Sequence, residues 1–490
     1  MTQKQKSLKL NITMNAILTM SSFIFPLITF PYVSRVLLPE GTGKVSFAIS
    51  LISYFSMFAQ LGIPTYGIRT CAKIRDNREE LTRTVHELLS INLIMSLISY
   101  AVLSVALLTV PRIQEERTLY IVVSFTIILT SIGMEWLYKA LEQYTYITIR
   151  SIIFKIVSLV AMFLMVHTKD DYVIYGGITI LAASASNIFN FINVHRYIEI
   201  KPVGNYNVKR HLKPVAIFFA MSCATTIYTH LDTVMLGFMA TDKDVGYYNA
   251  AVRIKTILVS IVTSLGTVLL PRASYYIEHG KKNEFKRITK KALNFVFLFA
   301  TPMILYFIYF AKEGIYFLSG KAYAGSIIPM QIIMPTLLLI GITNILGIQI
   351  LVSLGREKTV LYSEITGTFV DVILNILLIP KFSSAGAAIG TVAAEFAVFI
   401  FQYAALKDEI ADSFKAIHYG KIFIGLILGS ITSLWIKRLG WGSFVSLLVS
   451  AIMFFGIYGL FLLITKEELV VETFNQIFGK IFKKARKKTV

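Results

Sequence analysis

The feature that most constrains this chain is a succession of apolar runs too long for the buried helices of a soluble domain. Roughly fourteen of them reach about 18 or more residues, the length at which a helix rising about 1.5 Å per residue crosses the hydrocarbon core. Over 490 residues the composition is 55% hydrophobic and 16% charged, leaving little polar surface for a soluble fold. The fold class implied is all-α, a polytopic membrane protein. The basic, then apolar start "MTQKQKSLKLNITMNAILTM" is read as the first span and not as a signal peptide. Its apolar stretch is too long for a signal core, lacks a small-x-small cleavage site and leads directly into further spans.

Spans are expected near 11–33, 45–67, 84–109, 118–138, 151–167, 172–194, 214–239, 246–270, 292–311, 326–353, 359–379, 384–406, 421–436 and 443–465. Sorted by side, about 35 Lys and Arg fall on the amino-terminal side and about 11 opposite, so the positive-inside rule makes both termini and the loop around Lys281 and Lys282 cytoplasmic. The net charge of +20 is therefore a matter of topology, and no nucleic-acid partner is expected. Opposite loops are short, the longest being "KEGIYFLSGKAYAGS". A polysaccharide polymerase or ligase would be expected to carry catalytic groups in a large loop, so a non-enzymatic role is preferred. Two cysteines, Cys71 and Cys223, imply no disulfide framework, and neither metal-ligand spacing nor a cofactor motif is present. A P-loop is absent too, which argues against direct nucleotide drive. After Thr465, Phe474, Ile477, Phe478, Ile481 and Phe482 recur at helical spacing among Lys480, Lys483 and Lys484, as in an interfacial helix on an anionic leaflet.

The chain repeats itself. "TGKVSFA" at 42–48 aligns with "VGYYNAA" at 245–251, Arg69 aligns with Arg272 at the same offset, and "LGIP" at 61 corresponds to "LGTV" at 265 after one residue of slippage. An even number of spans separates the copies, giving them parallel orientation, one of the plans on which transporters are built.

Charges inside spans are the residues most open to a functional reading, since each at mid-depth costs about 2.5 to 3.5 kcal/mol on insertion scales. Asp232 and Arg253 flank one turn and share a depth of about 11 to 12 Å below that surface. They can pair, or Arg253 and Lys255 can face a watery cavity; being two residues apart, these cations cannot both address one partner. His230 stands two residues before Asp232, and a hydrogen-bonded packing role competes with proton carriage. Glu135, Asp371 and Glu395 lie within or near span ends as gating or coupling candidates. Arg35, on the disfavoured side, is a gate or headgroup candidate, whereas Arg150 reads as a topological flank. Pro26, Pro31 and Pro271 can bend helices. Gly386, Ala387, Ala388 and Gly390 read as close helix packing.

"PLITFPYVSRVLLPEGTGKVSFA", "GMEWLYKALEQYTYITIRSIIFKI", "LDTVMLGFMATDKDVGYYNAAVRI" and "DVILNILLIPKFSSAGAAIGTVAAE", in this order along the chain, resemble the polysaccharide-export branch of the multidrug/oligosaccharidyl-lipid/polysaccharide exporter superfamily. The resemblance covers nearly all the chain and implies a Wzx-type oligosaccharide flippase. It implies two six-helix lobes, 1–213 and 214–410, around a cavity, with spans 13 and 14 and a basic cytoplasmic tail in 411–490. Undecaprenyl-diphosphate-linked oligosaccharide repeat units and membrane lipids are the implied partners, with a polymerase and glycosyltransferases as further candidates. Alternating access in the cell membrane is the implied mechanism. Arg253, Lys255 and Arg35 would meet the diphosphate, because guanidinium and ammonium groups donate to oxyanions, while Asp232, assigned to the same substrate site, would restrain one cation when the cavity is empty. The alternative is a cation-coupled exporter of drugs or other small molecules, which would favour a cavity rich in carboxylates and aromatic rings.

Overall fold

The computed structural model describes residues 8–264, 272, 273, 275–415, 417–472 and 475. The basic tail helix expected after Thr465 and the end of the span closing at Pro271 lie largely or wholly outside the described residues. Among those residues every regular element is helical, and nine helices are long and apolar enough to cross a membrane. The chain divides into two compact units, 1–249 and 250–490.

In unit 1 the first helix, α1 (Leu8–Gln60), has 53 residues, about twice what one crossing needs. It is broken at Leu38, with φ 61° and ψ 177°. Leu38 precedes Pro39, whose ring disfavours helical backbone at the residue before it, and Pro39 then suits the start of the next helical stretch.

The two stretches of α1 run in opposite directions, as their neighbours show. The first follows α7 (Tyr144–Met165) in parallel: Thr148 donates to the Met14 carbonyl (3.0 Å), Lys155 to Ser21 Oγ (2.8 Å), and Tyr32 to the Val166 carbonyl (2.7 Å). The second follows α5 (Arg117–Gly133), with Phe47 edge-on to Tyr120 and Ser56 Oγ 3.5 Å from Thr130 Oγ1. Helices α8 (Tyr172–Ile180) and α9 (Asn187–Asn193) also run with α5, since Gly176 packs on Leu119 and Gly133 on Asn187. They run against α7, where Tyr146 donates to the Phe189 carbonyl (2.9 Å) and Arg150 to that of Ser186 (2.8 Å). Helices α5 and α7 are therefore antiparallel, and so are the two stretches of α1.

Helix α2 (Ile63–Lys73) continues from α1, and α3 (Arg78–Thr109) returns against α5 through Ser96–Ser131 (2.8 Å) and Tyr100 to the Ser124 carbonyl (2.8 Å). The short α4 (Pro111–Gln114) joins α3 to α5, and α6 (Glu135–Ala140) joins α5 to α7. Helix α10 (Lys209–Met239) descends against the second stretch of α1, with Gly62 on Phe218 and Phe219, His230 beside Ser50 and Gly237 on Phe47. The loops thus sort onto two ends of the bundle. At the amino-terminal end Glu142 accepts from Asn11 (3.1 Å) and pairs with Arg75 (2.9 Å). At the opposite end Glu116 pairs with Lys44 (2.6 Å), and Arg112 pairs with Asp242.

Helix α11 (Asp242–Thr263) carries the chain from the first unit into the second. Unit 2 continues with α12 (Lys282–Tyr309), α13 (Ala311–Ser319), α14 (Ile327–Ile333) and α15 (Thr336–Thr343), the last passing into a π-helical stretch, Asn344–Leu351. The segment expected as one span over 326–353 is bent by 46° between Ile333 and Thr336, where Pro335 removes a backbone donor. Helix α16 (Glu357–Lys415) has 59 residues and breaks at Ser383, with φ 47° and ψ −124°. Its halves face each other in register. Gly386 packs on the Leu378 backbone, Gly390 on Asn375 and Asp371, and Gln402 donates to Ser363 Oγ (3.0 Å). Helices α17 (Tyr419–Leu434) and α18 (Ser443–Ile464) close the unit; Tyr306 and Tyr458 donate across the α12–α18 contact to the Leu447 (2.8 Å) and Leu298 (3.1 Å) carbonyls.

Candidate functional site

The aligned repeat has a structural counterpart. Gly43 packs against the backbone of Asp242, and Gly246 packs against the backbone of Pro39. Both glycines and both turn residues are separated by the same sequence offset. Each copy thus makes to the other the contact it receives, the isologous pattern that a two-fold relation produces. A side chain at either glycine would meet peptide backbone. Around these turns Arg112 pairs with Asp242 and donates to the Gly237 carbonyl (3.0 Å), while Tyr172 donates to Glu116 (2.7 Å). Burial pushes the Asp242 carboxyl above the usual range despite the Arg112 and Lys44 charges beside it.

Of the residues singled out by sequence, Asp232 is buried and accepts a hydrogen bond from the Tyr248 hydroxyl across the α10–α11 turn. Tyr248 is a partner that charge-matching with Arg253 overlooks. Arg253 and Lys255 are half-buried on α11. His230 is half-buried, with Nδ1 3.2 Å from Ser50 Oγ and its ring edge-on to Tyr54. Arg35 is exposed just before the α1 break and donates to the Pro31 carbonyl one turn back, an acceptor that lies beside the proline-interrupted part of the helix.

Glu135 lies just beyond the end of α5. Helix α5 stops at Gly133, Met134 takes left-handed backbone (φ 42°), and Glu135 begins α6. There it pairs with Lys139 (2.8 Å) and lies 3.8 Å from Arg150. Arg150 is corrected from a topological flank to an interior residue: α7 starts at Tyr144, placing Arg150 nearly two turns inside, 7% exposed and bonded to the Ser186 carbonyl. That carbonyl follows the π-helical turn Leu181–Ala185, where the regular ladder is interrupted and an oxygen is available to a side chain.

Asp371 and Glu395 are both buried, and the register of the α16 halves puts them at one level of that hairpin. Gly390 lies against both Asp371 and Asn375, so the small-residue stretch and the acidic candidates belong to one packed unit.

A further cluster escaped sequence reading. Glu87, 1% exposed, accepts from Arg210 (2.7 Å) and His211 (2.7 Å), and His211 contacts the Tyr66 hydroxyl (2.8 Å). Arg210 looked like one more cation in a basic loop, and only the folded chain brings a carboxylate to it. In unit 2, Glu467 plays the same part, accepting from Asn294 (2.9 Å) and lying 3.3 Å from Lys421. No group of three or more metal-ligating side chains occurs among the described residues.

Long apolar helices with broken, hairpin-forming segments and ionisable groups at depth define a polytopic membrane protein of transporter type. The family model described as "Polysaccharide biosynthesis protein" matches residues 8–277, more than half of the chain, and the chain belongs to that family. A second model, MatE, matches residues 217–377. A relative from Escherichia coli (strain K12) named "Putative O-antigen transporter" is 27% identical over 399 residues, covering 81% of this chain and 95% of that protein. The capsular polysaccharide biosynthesis protein CapF of Staphylococcus aureus is 21% identical over 378 residues, covering 74% of this chain and 90% of its own. Among solved structures, the lipid II flippase MurJ in an inward closed conformation shares the fold, with a TM-score of 0.70 and 16% identity over 94% of this chain and all of that one.

Proposed function

We propose that this protein is a flippase that moves undecaprenyl-diphosphate-linked oligosaccharide repeat units across the cell membrane for surface polysaccharide export. The observation that carries the reading is similarity along almost the whole length, in sequence to an O-antigen transporter and in fold to a lipid II flippase. The chain works by alternating access between lobes 1–213 and 214–410, with 411–490 as an accessory pair of spans and a cytoplasmic tail. Broken helices long enough for two passes each support a total of about fourteen spans. Arg253, Lys255 and Arg35 offset the diphosphate charge, and Asp232 restrains a cation when no substrate is bound. Glu135, His230, Asp371 and Glu395 serve gating or coupling. Polymerase and glycosyltransferases act on the same repeat unit before and after it crosses.

Basic residues favour a cytoplasmic amino-terminal end of unit 1: Arg75, Arg83 and Arg210 cluster there with the start of the chain, and the positive-inside rule then puts both termini inside. A cysteine placed at Lys282 stays unlabelled by a membrane-impermeant reagent in intact cells. Labelling there, with external controls behaving normally, reverses the topology and the direction of transport. Deletion of the gene traps lipid-linked repeat units on the inner leaflet; units that still reach the outer leaflet at the normal rate contradict the function. The MatE match over 217–377 favours, as a second reading, cation-coupled export of small molecules, for which deletion would sensitise cells to organic cations and leave glycolipid distribution unchanged.

A further inference from the structure

Unit 1 holds three cations near a single carboxylate. Glu135 pairs with Lys139 (2.8 Å), stands 3.8 Å from Arg150, and is also the acid that acts electrostatically on Lys155. Lys155 has no carboxylate within 4.0 Å among the described residues; its ammonium donates to Ser21 Oγ (2.8 Å) and Ser22 Oγ (3.0 Å) on the first stretch of α1. Both serine hydroxyls donate back to the Leu18 carbonyl, which leaves their oxygens as acceptors for the lysine. An ammonium has three donors, and these contacts use two.

Position makes this cation costly. Lys155 lies about 16 Å along α7 from Tyr144 and about 15 Å from Met165, in the middle of a 22-residue apolar helix. It is too far from either end for simple snorkelling to a headgroup layer to be the expected outcome. Nor does it face the lipid-type side of its helix. The exposed stripe of α7 is Ile149, Ile153, Ile156, Val160 and Leu164. Lys155 projects about 140° away from the centre of that stripe, at 100° per residue. On α1, exposed Asn15, Thr19 and Ser22 recur at spacings of four and three, giving a polar stripe where a lipid-facing helix would be apolar.

We propose that Lys155, held in place by Ser21 and Ser22 beside this polar stripe, is an anion-binding residue that contacts the diphosphate of the transported lipid. The inference rests on the flippase reading and adds to it a contact from α1 and α7, made by residues other than Arg253 and Lys255. The net positive charge of Lys139, Arg150 and Lys155 against one Glu135 is offset when the oxyanion arrives, and the free ammonium donor supplies a charge-assisted hydrogen bond.

The test uses the purified full-length protein in detergent and follows thermal unfolding with a polyprenyl diphosphate, the matching polyprenol, and phosphatidylglycerol. The diphosphate should stabilise the wild type more than the polyprenol does. Lys155→Gln should raise its half-saturating concentration about tenfold, with Lys155→Arg retaining most of the affinity. Ser21→Ala combined with Ser22→Ala keeps the charge but releases it, and should weaken binding by less; it also serves if Lys155→Gln does not fold. Unchanged diphosphate affinity in Lys155→Gln, or in the double serine variant where Lys155→Gln fails to fold, overturns the assignment and leaves the flippase reading intact. A wild type that does not distinguish diphosphate from polyprenol defeats the oxyanion-binding part of the flippase reading itself. Equal competition by phosphatidylglycerol identifies a structural lipid site and overturns the substrate role.

Discussion

The two longest helices of the chain are both folded back on themselves, yet they are held in opposite ways. In α16 the halves lie against each other from Ser363–Gln402 to the break, through Gly386 on Leu378 and Gly390 on Asn375. In α1 the halves are held by other helices: the first by α7, the second by α3, α5 and α10, through Thr148, Tyr32, Asn92, Gln60 and His230. The sequences explain the difference. "SSAGAAIGT" lets two backbones approach within contact distance, and dispersion between close backbones needs no polar group. "NITMNAILTMSS" has no such stripe, and it reaches neighbours through polar groups: Asn11 donates to Glu142, and Ser21 and Ser22 accept from Lys155 of α7. Small residues join the halves of α16 directly, whereas polar anchors tie those of α1 to separate neighbours.

The largest effect expected from breaking this contrast is at Gly386. A Cβ there would stand 2.5 Å from the Leu378 oxygen and 2.6 Å from its carbonyl carbon, atoms that cannot rotate away. Gly386→Val should therefore destabilise by about 3 kcal/mol, at the upper end for overpacking, and should be seen as lost membrane abundance and early unfolding in denaturant. Gly390→Ala meets the Asn375 and Asp371 side chains instead, and since these can turn, a loss of about 1 to 2 kcal/mol is expected, with the protein still inserted. The anchors of α1 should each matter less. Asn92→Ala removes the bond to the Ala59 carbonyl (3.1 Å) and Tyr32→Phe the bond to Val166, each worth about 0.6 kcal/mol by comparison with other membrane helices. Unfolding of the double variant should show additive losses, because the two contacts share no partner. The smallest effect has the opposite sign. Leu38→Gly should stabilise by up to about 1 kcal/mol, since a leucine at φ 61° occupies backbone territory suited to glycine. Unfolding midpoints of that variant at or below wild type would show that the leucine side chain contributes more than the backbone relief.

Hydropathy made the spans of α3, α7, α10, α12 and α18 legible, because each is a continuous apolar helix. It also placed the turns near 38 and 383 that split α1 and α16. The small residues from Gly386 to Gly390 were readable as packing for the same reason. Their consequence was not: the level shared by Asp371 and Glu395 depends on hairpin register, which a list of spans does not contain. Arg150 reads as a topological flank, and Lys155 draws no notice, because hydropathy starts the span near residue 151, where cations are ordinary. The helix begins at Tyr144, which carries both of them inward. Tyr248 was missed because a phenol in an apolar helix gives no sign of seeking a carboxylate. Glu87 was missed because its partners Arg210 and His211 lie more than a hundred residues away along the chain.

The most direct test of the central claim is transport by the purified protein in sealed vesicles, comparing a polyprenyl-diphosphate-linked oligosaccharide with the same oligosaccharide free in solution. The account predicts that the lipid-linked form reaches the opposite leaflet only when the protein is present, and that the free sugar does not cross. Equal crossing of both forms, or movement of neither while organic cations are exported, would contradict it.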